Sequence, residues 1–248
     1  MIPSRGLAHV DTWVFDLDNT LYPADAEVMS QVDKRMTQFV MQLLDLEHDA
    51  ARSVQKRYWH DYGTTLNGLM SNHDVDLHAF LDFVHDIDHD VLAPDPVLAQ
   101  HISQLEGRRL VYTNGSMKHA ERVIDRLGLN GQFHDLFDIA AADFTPKPQR
   151  AAFDRFTGHF GITPNGAAMF EDSARNLETA AAMGFTTVLV RAPIHIPEGE
   201  SAGPGEEPDH VHYVADCLKT FLGEVVSPPT AHTDADASSA TDTSDEIR

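Results

Sequence analysis

The chain has 248 residues, 42% of them hydrophobic, and a formal charge of -21 at neutral pH. That is enough to bury a sizeable core, either as one large domain or as a core with a smaller cap. The acidic balance argues against a nucleic-acid polymer or an anionic membrane surface as partner; a small anionic substrate stays open if a metal ion and a few local cations offset the carboxylates around it.

The single cysteine, Cys217, allows no internal disulfide and fits a reducing compartment. With Val214, Leu218 and Phe221 around it on a predicted helix, it reads as a packing residue. Residues 1–10 carry Arg5 and His9 and no long apolar core, and no run reaches membrane length, so a cytoplasmic protein is the expectation.

The first structural signal is the apolar run Trp13 to Phe15, which fits a buried strand and leads into Asp16-Leu17-Asp18-Asn19-Thr20. In an open α/β sheet ligands bind at the carboxyl ends of strands. With Asp16 closing the strand, its side chain and that of Asp18 both point into the crevice there, while Leu17 packs away. Two such acids can divide phosphoryl transfer, one as nucleophile and the other as acid to the leaving oxygen and base to water. Asp-Asn-Thr after a strand is also ordinary turn chemistry.

After Tyr22-Pro23 the character changes. Val28, Val32, Met36, Phe39, Val40, Leu43 and Leu44 form one face of an amphipathic helix. Ala50 to Tyr62 and Leu77 to Ile87 give two more helices, separated by the stretch Gly63 to Leu69, and Pro94-Asp95-Pro96 reads as a hinge. Strand and helix then alternate. Strands are expected over Leu110–Tyr112, Phe137–Ala140, Ala167–Phe170, Thr186–Val190 and Val211–Val214. The helices between them span Met117–Leu127, Gln149–Phe160 and Arg175–Met183, with a last one through Val226.

This pattern predicts an α/β fold: a Rossmann-like parallel sheet with helices on both faces, its first strand near the middle, and a small all-helical cap inserted after that strand. The expected boundaries are a core of residues 1–22 and 95–226, a cap of 23–94, and a disordered acidic tail of 227–248. A Gly/Pro/Glu loop over Glu198–Asp209 has a similar solvated character.

Four predicted strands end in residues suited to one phosphate. Besides Asp16 and Asp18, Thr113 offers a hydroxyl to a phosphoryl oxygen, and Asn114-Gly115 offers backbone N–H groups at a helix start, although Thr-Asn-Gly is also common in turns. Lys147 stands between Pro146 and Pro148, where its ammonium could neutralise the nucleophile and the transferring group. Glu171 and Asp172 supply hard oxygens suited to Mg²⁺, or alternatively cap the following helix.

In order and spacing these residues resemble the haloacid dehalogenase-like hydrolase superfamily, over roughly residues 10–222. The resemblance implies that Asp16 takes the phosphoryl group and that Asp18 is the acid/base, with its backbone carbonyl on the metal. It implies that Thr113, Asn114 and Lys147 hold the phosphate, and that Asp16, Asp18, Asp172 and Glu171 surround Mg²⁺. Asn176 would orient that shell or be only a surface residue. In this family the second aspartate marks phosphatases rather than dehalogenases, so Asp18 implies phosphoester hydrolysis.

The segments Phe15 to Pro23, Tyr62 to Leu69, His85 to Asp88 and Tyr112 to Gly115 are similar to the pyrimidine 5′-nucleotidase subgroup. That likeness implies a small phosphorylated metabolite, a nucleotide such as UMP or CMP, met by Thr65, Asn67 and Gly68 of the cap. Three other readings stand beside it. One is a phosphatase or phosphomutase for sugar phosphates, and another is a non-enzymatic regulatory binding protein. The third is a zinc site, prompted by fifteen histidines, with His85 and His89 sharing a helix face.

Overall fold

The computed structural model describes residues 6–191 and 208–227. Six strands form one parallel sheet in the order β3-β2-β1-β4-β5-β6. They are β1 Thr12–Phe15, β2 Arg108–Tyr112, β3 Asp135–Phe137, β4 Ala167–Glu171, β5 Thr186–Val190 and β6 Tyr213–Ala215. β1 is interior, with Phe15 in register with Val111 on one side and Phe170 on the other.

Helices α1 Val28–Leu44, α2 His48–Tyr62, α3 Thr65–Asn72, α4 Leu77–Val84 and α5 Pro96–Ser103 lie between β1 and β2. They are followed by α6 Met117–Arg126, α7 Arg150–Phe160, α8 Ala174–Met183 and α9 Leu218–Val226. None of the described helices is long and apolar enough to cross a membrane.

Period-two alternation splits the sheet residues between two cores. Trp13, Phe15, Val111, Ala168 and Phe170 pack with α5, α6 and α9 through Ile102, Val123 and Phe221. Val14, Leu110, Tyr112 and Met169 face the opposite way, onto Phe153 and Phe156 of α7 and Leu177 of α8. Each large apolar side chain buried this way contributes about 1.5–3 kcal/mol. Leu17 continues the Trp13–Phe15 side.

Helices α1 to α4 bury their own cluster, including Val32, Val40, Tyr58, Leu69, Phe80 and Val84, and Ile139 from the loop after β3 joins it. The helical layer therefore rests on the carboxyl end of the sheet.

Several boundaries differ from the sequence expectation, each for a local reason. The stretch Gly63 to Leu69 is mostly helix: Gly63 ends α2 at φ 83°, and Thr64 caps α3 by accepting from the Asn67 backbone N–H. Pro94-Asp95-Pro96 starts α5, with Asp95 accepting from the Leu98 N–H and Pro96 at the first helical position. β3 ends at Phe137 because the Asp138 carboxylate takes the N–H groups of Met117 and Ala141, turning the chain out of the sheet. β6 begins only at Tyr213, since the Thr187 hydroxyl and the His212 ring make the bonds around residues 210–212. Cys217 is exposed at the start of α9 rather than packed. The expected tail lies outside the described residues beyond Ser227, and so does most of the 198–209 loop.

Gly68 has a packing role. A Cβ there would lie 2.3 Å from Cβ of Tyr58, so glycine is what lets α3 approach α2. Gly68→Ala is expected to cost about 1–3 kcal/mol by overpacking, lowering the melting temperature by about 2–4 °C for each kcal/mol. An unchanged melting curve would mean that the two helices do not meet this closely.

Candidate active site

The site forms where β1, β2 and β4 end. Asp16 follows β1 directly, and its backbone N–H still donates to Phe170 O of β4, which fixes the direction in which its side chain leaves. Its Oδ1 lies 2.6 Å from Lys147 Nζ, and its Oδ2 accepts from the Thr20 hydroxyl at 3.2 Å.

Lys147 is buried, and its ammonium uses three acceptors: Asp16 Oδ1, Glu171 Oε1 at 2.9 Å and Tyr112 O at 2.9 Å. Asn114 braces that loop, accepting from the Lys147 N–H and donating to the Lys147 carbonyl. Both polar atoms of the Asn114 side chain are thus engaged with the lysine's backbone.

Thr113 is buried at the end of β2, and its hydroxyl accepts from the Gly115 N–H at 2.8 Å. A Cβ on Gly115 would sit 3.2 Å from that hydroxyl oxygen and 3.6 Å from Asp18 Oδ2, so the bare glycine leaves open the space on which these groups converge.

Glu171 and Asp172 play different parts. Glu171 Oε1 accepts from Lys147 and from Asn176 Nδ2 at 2.6 Å, while its Oε2 accepts from the Ser173 N–H. Asn176 therefore orients Glu171 rather than merely decorating the surface. Asp172 has a single side-chain donor among the described residues, Asn19 Nδ2 at 3.2 Å.

Electrostatics follow from three carboxylates facing one ammonium. Burial raises Asp16 to about 7, with Glu171 adding to the rise and Lys147 opposing it. Burial together with Glu171 and Asp16 pushes Asp172 up to about 9. Burial works against the charges of Glu171 and Lys147 as well, but Lys147 outweighs it at the glutamate, and Asp16 and Glu171 outweigh it at the lysine, holding the first below and the second above their usual ranges.

Asp18 has different neighbours. Its Oδ1 accepts from Tyr22 OH at 2.6 Å and lies 2.8 Å from Nε2 of His119, a fully buried residue of α6. Burial alone would raise its pKa, but His119, Tyr22 and His85 outweigh that and bring it to about 2. His119 Nδ1 lies 3.1 Å from His89 Nε2, and the His85 ring stacks on His119 with centroids 4.4 Å apart. His85 and His89 come after the last turn of α4, so they do not share a helix face. They converge on His119 and Asp18 rather than forming a zinc site of their own, and the one metal-suited cluster among the described residues is Asp16, Glu171 and Asp172.

A cavity of about 220 Å³ opens from Asp18 towards the helical layer. Its walls include Met29, Val32, Met36, Trp59, Phe80 and Phe144, with Thr64, Thr65 and Asn67 among its polar lining. Gly68 faces Tyr58 instead.

A family model described as haloacid dehalogenase-like hydrolase matches residues 10–184. The chain belongs to that family. It is 26% identical over 196 residues to Phosphate metabolism protein 8 of Saccharomyces cerevisiae, covering 71% of this chain and 60% of the yeast protein. It therefore spans less than two thirds of that relative. A shorter stretch of 65 residues is 38% identical to Enolase-phosphatase E1 of Frankia alni, covering 26% of this chain and 27% of that protein.

Solved structures with the same fold include an L-2-haloacid dehalogenase from Xanthobacter autotrophicus with chloropropionic acid covalently bound. It is 16% identical, with a TM-score of 0.54 over 87% of this chain and 98% of that one. Another is the HAD-hydrolase YfnB of Bacillus subtilis bound to magnesium, 15% identical with a TM-score of 0.52 over 87% and 98% of the two chains.

Hydrolases of this family typically use Mg²⁺, and the residues present fit it. One oxygen from each of Asp16, Glu171 and Asp172 lies within 4.8 Å of the others. The donors are hard oxygens, and the surplus negative charge beside Lys147 is what a divalent cation would neutralise. Asn19 Oδ1, next to Asp172, is a buried acceptor with no hydrogen-bond partner among the described residues.

Sequence reasoning did not find His119, Tyr22 or Asn19. The signal for Tyr22 was its position four residues after Asp18. For His119 there was only its place one turn into the helix that follows Thr113.

Proposed function

We propose that this member of the haloacid dehalogenase-like hydrolase family is a Mg²⁺-dependent phosphomonoesterase working through an aspartyl phosphate, with a pyrimidine nucleoside 5′-monophosphate as substrate. One observation carries the reading: Asp16, tied to a buried lysine, and Asp18, at the mouth of an apolar cavity, stand at the end of the same strand.

A carboxylate of Asp16 attacks phosphorus, an O–P bond forms, and the bond to the leaving oxygen breaks. Asp18 gives that oxygen a proton. Asp18 is ionised in the resting site, so the proton arrives with the substrate phosphate. In the second half Asp18 takes a proton from water, which attacks phosphorus and returns Asp16 and inorganic phosphate.

A phosphate approaching a carboxylate at 4 Å meets about 4 kcal/mol of repulsion per unit charge pair at an effective dielectric of 20. Lys147 offsets part of this, and Mg²⁺ held by Asp16, Asp172 and the Asp18 backbone carbonyl would supply the remaining positive charge. Glu171 keeps the Lys147 ammonium in place, and Thr113 offers its hydroxyl to a phosphoryl oxygen.

The cavity supports the substrate class. Among the described residues no lysine or arginine lines it, so a second phosphate or a carboxylate on the leaving group would find no cation among them. Its apolar walls suit a flat base, with Trp59 at hand for stacking and Thr65 and Asn67 for the base edge. A hexose would leave several hydroxyls facing Met29, Val32 and Phe80.

The test is phosphate release across UMP, CMP, UDP, hexose phosphates and small alkyl phosphates, with product analysis. UMP or CMP is expected to exceed UDP and hexose phosphates in kcat/KM by about tenfold or more, a pocket contribution of roughly 1–3 kcal/mol. A hexose phosphate as best substrate, or a hexose bisphosphate or isomerised phosphate as product, would overturn the nucleotidase reading.

A further inference from the structure

We propose that His119 is the positioning residue for the acid of the reaction: it pins Asp18 Oδ1 so that Oδ2 faces the leaving oxygen, and the cap's own His85 and His89 hold its ring in place. This rests on the phosphomonoesterase reading above.

Asp18 divides its two oxygens. Oδ1 receives both Tyr22 OH and the His119 contact, whereas Oδ2 has no hydrogen-bond donor among the described residues. Oδ2 instead faces the space above Gly115 that the Thr113 hydroxyl also faces. A free carboxylate would rotate between equivalent orientations. Two partners on one oxygen remove that freedom.

His119 is itself fixed. Ser116 caps α6 by accepting from the His119 backbone N–H, which sets the residue at the third helical position with its side chain turned back under the site. Both ring nitrogens are in use, Nε2 at Asp18 and Nδ1 at His89, and His85 covers one ring face at an interplanar angle of 14°. His85 Nδ1 lies 3.0 Å from the Ser116 hydroxyl, and His89 Nδ1 lies 3.2 Å from Ile87 O. Turning the imidazole would leave two buried nitrogens unpaired.

These neighbours come from different parts of the chain. His85 and His89 follow α4, in the segment that connects the helical layer back to the core, while His119 belongs to the core helix after β2. The helical layer thus completes the acid's support as well as walling the cavity, and His85 does both.

A positioning role for the acid predicts dependence on the leaving group. A nucleoside 5′-oxygen needs a proton to depart, and general-acid assistance is worth about 10²–10⁴-fold. A 4-nitrophenolate departs without one. In His119→Phe, kcat/KM is expected to fall by about 100-fold for UMP and by no more than about fivefold for 4-nitrophenyl phosphate. This constant reports only the steps up to departure of the leaving group, whereas hydrolysis of the aspartyl phosphate is shared by both substrates. In His119→Gln, whose amide can reach Asp18, most of the UMP rate should return.

The quantity read is the ratio of the two rates within one sample, which does not depend on the folded fraction. Should the phenylalanine variant not fold, His119→Asn, whose amide is too short to reach Asp18, gives the same ratio. Equal losses of kcat/KM on both substrates, or a glutamine variant no better than phenylalanine, would overturn the assignment. If wild-type protein cleaves aryl and alkyl phosphates but not UMP, the nucleotidase reading fails, and the ratio is measured against the best alkyl phosphate. No phosphate release by the wild type from any ester overturns both.

Discussion

Asp16→Asn is expected to lower phosphate release by at least about 10⁴-fold while leaving the fold in place. The amide keeps the shape of the carboxylate but cannot form the acyl phosphate. Lys147 retains Glu171 and the Tyr112 carbonyl, so its buried charge stays paired. The same substitution should raise the stability of the metal-free protein. The Asp16 carboxyl is raised from 3.8 to about 7, so its folded form holds a proton that the unfolded chain has released. Stability from this group is complete below pH 3.8 and is lost as pH rises through 7. In chelator at pH 8, melting of the asparagine variant should therefore occur above that of the wild type, by about 2–4 °C for each kcal/mol recovered. A variant that keeps more than about a hundredth of the wild-type rate would mean that another group attacks phosphorus.

Much of this site was legible in the sequence because its anchors lie at strand ends. Asp16, Thr113 and Glu171-Asp172 each follow or close an apolar run, and a parallel sheet brings such positions to one edge whatever the length of the helices between them. Lys147, by contrast, stands in the loop after β3 and is held at that edge by Asn114. Apart from Tyr22, whose partner Asp18 is four residues away, what stayed hidden depends on side chains whose partners are far along the chain. His119 meets Asp18 across 101 residues and His89 across 30, and nothing in the local pattern of α6 distinguishes it from a packing residue. His85 and His89 looked like a helical pair because the pattern could not show that α4 stops at Val84. Asn114 illustrates the converse: the turn was recognisable, but its amide serves the Lys147 backbone, a contact 33 residues away. The α3 error was one of local chemistry, since Gly63 and Thr64 make a complete stop and start within two residues.

Removal of the divalent cation is expected to abolish turnover and its return to restore it, and Asp172 is where the effect can be separated from general damage. Saturating Mg²⁺ at 100 times its dissociation constant would add about 2.7 kcal/mol to the wild type, visible as a rise in melting temperature. Asp172→Asn should lose that rise along with about 10²-fold or more of the activity, because Asp172 has the least occupied carboxylate of the cluster, with one donor from Asn19. Without metal the order should reverse. Burial and the charges of Glu171 and Asp16 raise Asp172 from 3.8 to about 9, so the wild type loses this group's stability progressively over that interval, whereas the asparagine variant has no charge to confine. At pH 8 in chelator the variant should thus melt above the wild type, and in excess Mg²⁺ below it. That crossing distinguishes a metal ligand from a helix-capping acid, whose loss would lower the melting temperature with or without the cation. Full wild-type activity in chelator, or an equal Mg²⁺-induced rise in both proteins, would remove the metal from this cluster.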